Sequence, residues 1–100
     1  MKTQTNTTNQ IPTALFRLGR IVSTPNALSR LSQEDILTGI QRHQAGDWGD
    51  LPQEDIRENQ LALEKGLRLF SAYHTKDGTK FWIITEADRS VTTVLMPEDY

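Results

Sequence analysis

The chain has 100 residues, a formal net charge of −2 and no cysteine. This length is enough for one domain with a core that folds on its own. The 11 basic residues are scattered among 13 acidic ones, so the sequence lacks the clustered Lys and Arg of a nucleic-acid-binding surface. The absence of cysteine excludes disulfides and thiolate metal sites. No apolar run approaches the roughly 20 residues of a membrane span, and we expect a soluble, cytoplasmic protein.

The composition of the chain changes near residue 11. Residues 1–10 are polar and rich in Thr and Asn, which predicts a disordered tail. Residues 11–100 are expected to form a single α+β domain. Its first strand is predicted within residues 15–23, LFRLGRIVS, where Gly19 marks a bulge or a close approach of two backbones.

Two or three short helices are predicted after this strand. Thr24 is a good N-cap and Pro25 suits the first helical position, so the first helix is expected to reach about residue 31. Ser32 begins a second helix that runs to about Gln44. One side of that helix carries a hydrophobic stripe, predicted to consist of Ile36, Leu37 and Ile40.

The segment AGDWGDL at residues 45–51 predicts a tight loop around one large aromatic side chain. Asp47 is expected to shape this loop, and Asp50 is expected to cap a third helix that ends at Gly66. The inner side of the third helix includes Asn59. Because a buried amide needs its hydrogen bonds met, Asn59 is expected to bind backbone groups of the preceding loop.

The last third of the chain predicts a three-stranded antiparallel meander. Its strands, near residues 67–75, 79–86 and 91–96, are rich in β-branched and aromatic residues. Asp77-Gly78 between the first two is a strong hairpin signal. The turn predicts these opposite pairs: His74 and Lys80, Ala72 and Trp82, Phe70 and Ile84, Arg68 and Glu86. The predicted fold class is therefore α+β: an N-terminal strand, two or three short helices and a C-terminal antiparallel meander.

The meander has two faces, because successive strand residues point to opposite sides. The face expected to meet the helices carries Leu69, Tyr73, Phe81, Ile83, Val94 and Met96. The other face carries Phe70, Trp82, Ile84 and Leu95 among the charged residues Arg68, Glu86 and Lys80 and the imidazole of His74. A face this apolar requires either further chain or a partner to cover it.

His43 and Asp47 are candidates for chemistry, because their spacing at a helix end brings an imidazole and a carboxylate together. Both residue types are also common at ordinary helix ends and turns. Together with Glu86 and Asp88 they define one possible activity, a small hydrolase or nuclease, which requires the four side chains to converge. No cofactor and no metal ion is expected.

Trp48 and the turn at Asp88-Arg89 are candidates for binding. A tryptophan in a glycine-framed loop is either an exposed anchor for a partner or a plug between the helices and the sheet. The turn is either a site for a partner's charged group or an end of the hairpin that satisfies its own hydrogen bonds. The residues favour the plug and the self-satisfied turn without excluding the others.

Several segments together resemble one group of small bacterial proteins, carried on plasmids and other mobile elements. These segments are HQAGDWGDL (residues 43–51), Glu58-Asn59 with Leu63, GLRLFSAY (66–73), DGTKFWIITEADRSVTTVLMPEDY (77–100) and LGRIVSTPNAL (18–28). Members are labelled hypothetical or plasmid-related, and in some cases type I restriction methylase subunit. The last label conflicts with the sequence, since 100 residues are too few for a methyltransferase domain and no glycine-rich cofactor loop follows a strand.

The leading hypothesis is a non-enzymatic, protein-binding accessory factor of a mobile genetic element, with action against host defence as its role. The mobile-element context is implied by the resemblance, whereas the small size, mixed charge and half-apolar sheet face are features of the sequence itself. One candidate surface consists of Arg68, Phe70 and Trp82, and the other of the Trp48 loop with the turn at Asp88-Arg89. The expected partner is a protein, either foreign or a second copy of the chain.

Overall fold

A four-stranded sheet with helices on one face forms the fold, in a computed structural model that describes residues 14–100. The predicted tail at residues 1–10 lies outside the described residues. The elements in chain order are β1 (Arg20–Ser23), α1 (Pro25–Arg30), α2 (Gln33–Gln44), α3 (Gln53–Lys65), β2 (Leu69–His74), β3 (Lys80–Thr85), β4 (Val91–Leu95) and a 3₁₀ turn (Pro97–Asp99). The α+β class and the C-terminal meander are confirmed.

The strand order is β1-β4-β3-β2, with the meander antiparallel and β1 parallel to β4. The predicted register of the first hairpin is confirmed, including His74 opposite Lys80 and Phe70 opposite Ile84. Gly78 takes φ +89° in the hairpin turn, the left-handed conformation that glycine adopts without a Cβ clash.

The N-terminal strand is shorter than predicted. Residues before Gly19 leave the sheet and run along the end of α2, where the Leu15 N–H donates to the carbonyl of Gln44 over 2.9 Å. Gly19 has φ +65°, and a Cβ there would lie 2.4 Å from the Ser90 carbonyl oxygen. The predicted close backbone approach at Gly19 is therefore confirmed, and it is the reason that β1 begins only at Arg20.

Two of the three helix N-caps are as expected. The hydroxyl of Thr24 accepts from Ala27 N–H at 3.1 Å and that of Ser32 from Asp35 N–H at 3.0 Å. The expectation that Asp50 caps α3 is wrong. Pro52 occupies the N-cap without a side-chain bond, and the Asp50 carboxylate lies 2.7 Å from Nδ1 of His74 instead.

The core fills the space between the helices and the inner face of the sheet. Its largest cluster contains Ala27, Leu31, Ile40, Tyr73, Phe81, Ile83, Val94 and Met96. Leu37, predicted to belong to the α2 stripe, is 56% exposed. Gly39 takes that place: a Cβ at Gly39 would lie 2.9 Å from the Phe81 ring, so the missing side chain lets α2 lie directly on β3.

The outer edge of β2 is closed by side-chain and loop groups. The Asn59 amide donates to the Phe70 carbonyl at 2.7 Å, and its oxygen accepts from the Phe70 N–H at 3.1 Å. Ala72 donates to the carbonyl of Trp48 and accepts from Asp50 N–H. The expectation that Asn59 binds the preceding loop is wrong. Its amide instead pairs with the Phe70 backbone, as a neighbouring strand would at this edge.

Asn59→Ala is expected to lower the free energy of unfolding by about 2 kcal/mol, since it removes both partners of the Phe70 backbone at a buried edge. Urea unfolding followed by circular dichroism measures the loss. Gln60→Ala is the matched control, because Gln60 is exposed on the same helix and should change stability by less than about 0.5 kcal/mol. Equal effects of the two substitutions would contradict the role assigned to Asn59.

Candidate functional site

His43 is fully buried, between α2 and the inner face of the sheet. Its Nδ1 lies 2.6 Å from the Ser71 hydroxyl and its Nε2 lies 2.9 Å from the Thr85 hydroxyl. The Thr85 hydroxyl is 2.7 Å from that of Thr92, which donates to the carbonyl of Leu18. These groups form one continuous hydrogen-bonded chain, which we call the His43 chain.

Only one assignment of donors and acceptors satisfies every hydrogen bond of the His43 chain. Because the Thr92 proton is committed to Leu18, the Thr85 hydroxyl must donate to Thr92 and accept from His43. Nε2 therefore carries the proton, and Nδ1 accepts from Ser71. Burial lowers the pKa of His43 from its ordinary 6.5 to about 4, with a smaller contribution from the positive charge of Arg89. The imidazole is neutral at pH 7.

Trp48 lies beside His43 and is 5% exposed. Its ring is 5.7 Å from the imidazole and 6.2 Å from the stacked ring of Phe16. The side chain also packs with Ala62 and Leu69, so it fills the gap between α3 and the sheet. An exposed-anchor role for Trp48 is wrong, because its indole is enclosed by the core.

Asp47 holds the loop around Trp48 through charged and backbone contacts. Its carboxylate accepts from Arg42 Nε at 2.7 Å and from the Gly49 N–H at 3.2 Å. The bond from Arg42 is the main reason that the pKa of Asp47 is lowered. The Tyr73 hydroxyl donates to the Asp47 carbonyl at 2.7 Å. The loop-shaping role predicted for Asp47 agrees with these contacts.

Arg89 binds the backbone of its own chain and is not free for a partner. It has φ +60°, and its guanidinium donates to the carbonyls of Leu67, Ala62, Glu86 and Ala87 at 2.7–3.2 Å. Asp88 accepts from the N–H and the hydroxyl of Ser90. The turn satisfies its own hydrogen bonds, which favours a self-satisfied hairpin end over a site for a partner's charged group.

The four candidate catalytic side chains do not form a cluster in the described part of the chain. His43 contacts Ser71 and Thr85, Asp47 contacts Arg42, Glu86 contacts Arg68 and Asp88 contacts Ser90. No two of the four hydrogen-bond each other within residues 14–100. Those residues also contain no group of three or more His, Cys, Asp or Glu that could hold a metal ion. The geometry gives no support to a hydrolase or nuclease.

A cleft of about 600 Å³ lies between α2 and the β2–β3 hairpin. Two of its lining side chains already have partners within the chain: Arg42 pairs with the Asp47 carboxylate, and Nδ1 of His74 lies against the Asp50 carboxylate, each at 2.7 Å. Its rim lacks a cluster of like charges, so the cleft has no evident ligand class.

The outer face of the sheet carries an aromatic row of three side chains, Phe70, Trp82 and Tyr100. The rings of Phe70 and Trp82 meet edge to face at 5.0 Å, and Trp82 meets Tyr100 at 5.8 Å. Trp82 and Phe70 are half-buried, and Tyr100 is 74% exposed. The row continues onto Ile84 and Leu95, each 6% exposed. Sequence reasoning missed Tyr100, since nothing in the sequence indicates that the chain turns back over β3.

Arg68 lies at one end of the aromatic row. Its guanidinium pairs with the Glu86 carboxylate at 3.2 Å and donates to the Tyr100 hydroxyl at 3.0 Å. The hydrogen bond to the Glu86 carboxylate is the main reason that the pKa of Arg68 is raised. The predicted pairing of Arg68 with Glu86 is confirmed.

A notch of about 430 Å³ opens beside the aromatic row, between α3 and β2. Phe70, Leu67 and Arg68 line one side, and the carboxylates of Asp55 and Glu58 line the other. The notch thus combines apolar groups with two carboxylates and the Arg68 guanidinium, which is paired with Glu86.

Compared with known proteins, the chain matches no family model, no curated protein and no solved structure. Among residues 14–100, no helix is long and apolar enough to cross a membrane.

Acid is expected to destabilise the protein between pH 6.5 and about 4 through His43. The unfolded chain binds a proton on this imidazole below pH 6.5, whereas the folded chain does so only near pH 4, so stability falls as the pH falls. Over the whole range the free energy of unfolding is expected to fall by about 3 kcal/mol. Urea unfolding across this pH range measures the slope.

His43→Gln is expected to flatten this slope, because glutamine does not titrate. If His43→Gln does not fold, NMR titration of the wild-type imidazole gives the same information. A His43 signal that titrates near pH 6.5 would contradict the assignment of a buried neutral imidazole.

Arg89→Lys is expected to lower the free energy of unfolding by about 2 kcal/mol, since an ammonium cannot reach the separate carbonyls that the guanidinium joins. Arg68→Lys is the matched control, because it changes an exposed ion pair and should cost less than about 1 kcal/mol. Thermal and urea unfolding of both variants measure the difference. Similar losses would show that Arg89 does not hold the turn.

Proposed function

We propose that this chain is a non-enzymatic protein-binding module whose binding surface is the outer face of the sheet. The observation that carries the proposal is the aromatic row of Phe70, Trp82 and Tyr100 on the face of the sheet opposite the inner core, where the short 3₁₀ turn and Tyr100 lie next to β3. Aromatic side chains with a neighbouring arginine are the residue types that dominate protein-binding hot spots.

The choice between the two candidate surfaces rests on which side chains are already buried or hydrogen-bonded within the chain. Trp48 is enclosed by the core, and Arg89 is bound to backbone carbonyls. Phe70 and Trp82 retain exposed ring surface, and Arg68 is bound by exposed groups only. The outer face is therefore the surface that a partner reaches without unfolding the chain.

The notch beside Phe70 supports a partner with a basic or amphipathic side chain. Its rim carboxylates, Asp55 and Glu58, favour a positive charge, and its floor, Phe70 and Leu67, contacts an aliphatic stem. A partner that lays an apolar surface on the aromatic row and a Lys or Arg in the notch satisfies both features.

The mobile-element context narrows the first partners to test. The resemblance to plasmid and mobile-element proteins favours host proteins that restrict foreign DNA, and an accessory factor of mobile DNA that blocks such a protein needs a binding surface and no catalytic centre. This role in anti-defence is part of the proposal.

Trp82→Ser tests the surface. A partner captured from host lysate by the wild-type protein, then purified, is expected to bind this variant at least about thirtyfold more weakly, since a central aromatic hot spot contributes about 2 kcal/mol or more. Isothermal titration calorimetry measures the dissociation constants. Circular dichroism and thermal unfolding establish that the variant is folded.

Leu37→Ser is the matched control, because Leu37 is a large exposed apolar residue on α2, away from the outer face. It should bind like the wild-type protein. Asp55→Lys tests the notch and should weaken a basic partner while leaving the aromatic row intact. A partner that binds equally to the wild type and to folded Trp82→Ser would overturn the proposal.

A further inference from the structure

The outer edge of β1 carries strand backbone groups without partners among residues 14–100. The N–H groups of Arg20 and Thr24 point towards β4 and donate to the carbonyls of Ser90 and Val94. Because backbone groups alternate in direction along a strand, the N–H and C=O groups of Ile21 and Ser23 point away from β4. The Ile21 side chain at this edge is 47% exposed.

The two edges of the sheet differ. The β2 edge is closed by the Asn59 amide and by the bridge between Gly49 and Ala72. The β1 edge has no such closure in the described residues, and it holds neither proline nor lysine within the strand. An open edge of this kind is a template for another strand.

We propose that two copies of this chain pair through β1, antiparallel about a two-fold axis at Val22. In this register each Ile21 exchanges backbone hydrogen bonds with Ser23 of the second copy, so every outward-pointing group of Ile21 and Ser23 is used. The two Val22 side chains meet at the axis on the outer face. A shift of the register to either side leaves some of these groups unpaired, because Pro25 has no N–H and Gly19 has turned out of the strand.

The charges at the ends of β1 are complementary in the same register. Arg20 of one copy lies opposite Thr24 of the other, and it has no ion-pair partner within residues 14–100. The Thr24 hydroxyl donates to the Asp99 carboxylate at 2.7 Å, and Glu98 lies close by through Asn26. The two-fold axis therefore brings Arg20 of each copy towards carboxylates of the other copy, so the dimer contains two such contacts.

The pairing extends the outer face across both copies. β1 continues the sheet, so the aromatic rows of the two copies lie on one surface, on either side of the axis. A partner with two-fold symmetry would then meet two binding surfaces. The pairing does not depend on the proposed function, because it uses backbone groups of β1 and not the aromatic row.

Cysteine cross-linking tests the register, since the native chain has no cysteine. Val22→Cys places two thiols at the axis, where opposite Cα atoms are about 4.5 Å apart, within the range of roughly 4.4–6.8 Å for disulfides. Under mild oxidation it is expected to form a disulfide-linked dimer roughly tenfold faster than the controls. In Ile21→Cys the two thiols sit diagonally, about 7–8 Å apart, and Ser29→Cys on exposed α1 reports random collision.

Sedimentation equilibrium tests the pairing without cross-linking. The wild-type protein is expected to dimerise as its concentration rises. Arg20→Glu should weaken the dimer by roughly tenfold or more, because it opposes carboxylates. Arg17→Glu makes the same charge change on an exposed residue outside β1 and should leave the dimer intact. Circular dichroism establishes that both variants are folded.

Three results would overturn the pairing. The first is a monomer at every concentration together with cross-linking of Val22→Cys no faster than the controls. The second is equal weakening by Arg20→Glu and Arg17→Glu. The third is a dimer that Trp82→Ser abolishes and Arg20→Glu preserves, which would put the contact between copies on the outer face.

Discussion

The neutral imidazole of His43 is the constraint on which the rest of the fold depends. Its hydrogen bonds join α2 to β2 and β3, and the chain continues through Thr92 on β4 to the carbonyl of Leu18, just before β1. One buried ring thus links a helix to β2, β3 and β4 and to the segment that precedes β1. Such a network is stable only when complete, because a single missing partner leaves a buried donor or acceptor unpaired at a cost of about 1–3 kcal/mol.

The packing and hydrogen bonds of the inner face are complete, and this determines which surfaces of the chain are available for binding. Trp48 closes the space beside His43, and the amide of Asn59 closes the β2 edge. Arg89 joins the end of α3 to the last turn of the meander. The polar and aromatic residues that most resemble functional groups in the sequence are therefore used for folding. The outer face and the β1 edge keep exposed groups within residues 14–100, and both belong to the same sheet.

The sequence allowed the meander to be predicted to the exact pairing of the first hairpin, because Asp77-Gly78 and a period of two leave little freedom in register. It did not allow the partners of long polar side chains to be predicted. Asn59 is buried as expected, yet its partner is Phe70 on a strand whose position depends on the whole fold. Polar residues at inward strand positions, Ser71, Thr85 and Thr92, were the available signal for the His43 chain, since a polar residue there requires a buried partner.

Tyr100 explains how an apolar outer face remains compatible with a folded chain in water. Its ring lies against Trp82, and its hydroxyl is held by Arg68, so Tyr100 shields part of the Trp82 side chain from water. The ring is nevertheless 74% exposed, and the bond to Arg68 is between exposed groups, which contribute little in water. Displacing Tyr100 therefore costs little, whereas displacing Trp48 would disrupt the His43 chain. A surface covered by a weakly held aromatic side chain can exchange it for a partner's side chain, which is the physical reason for assigning binding to the outer face.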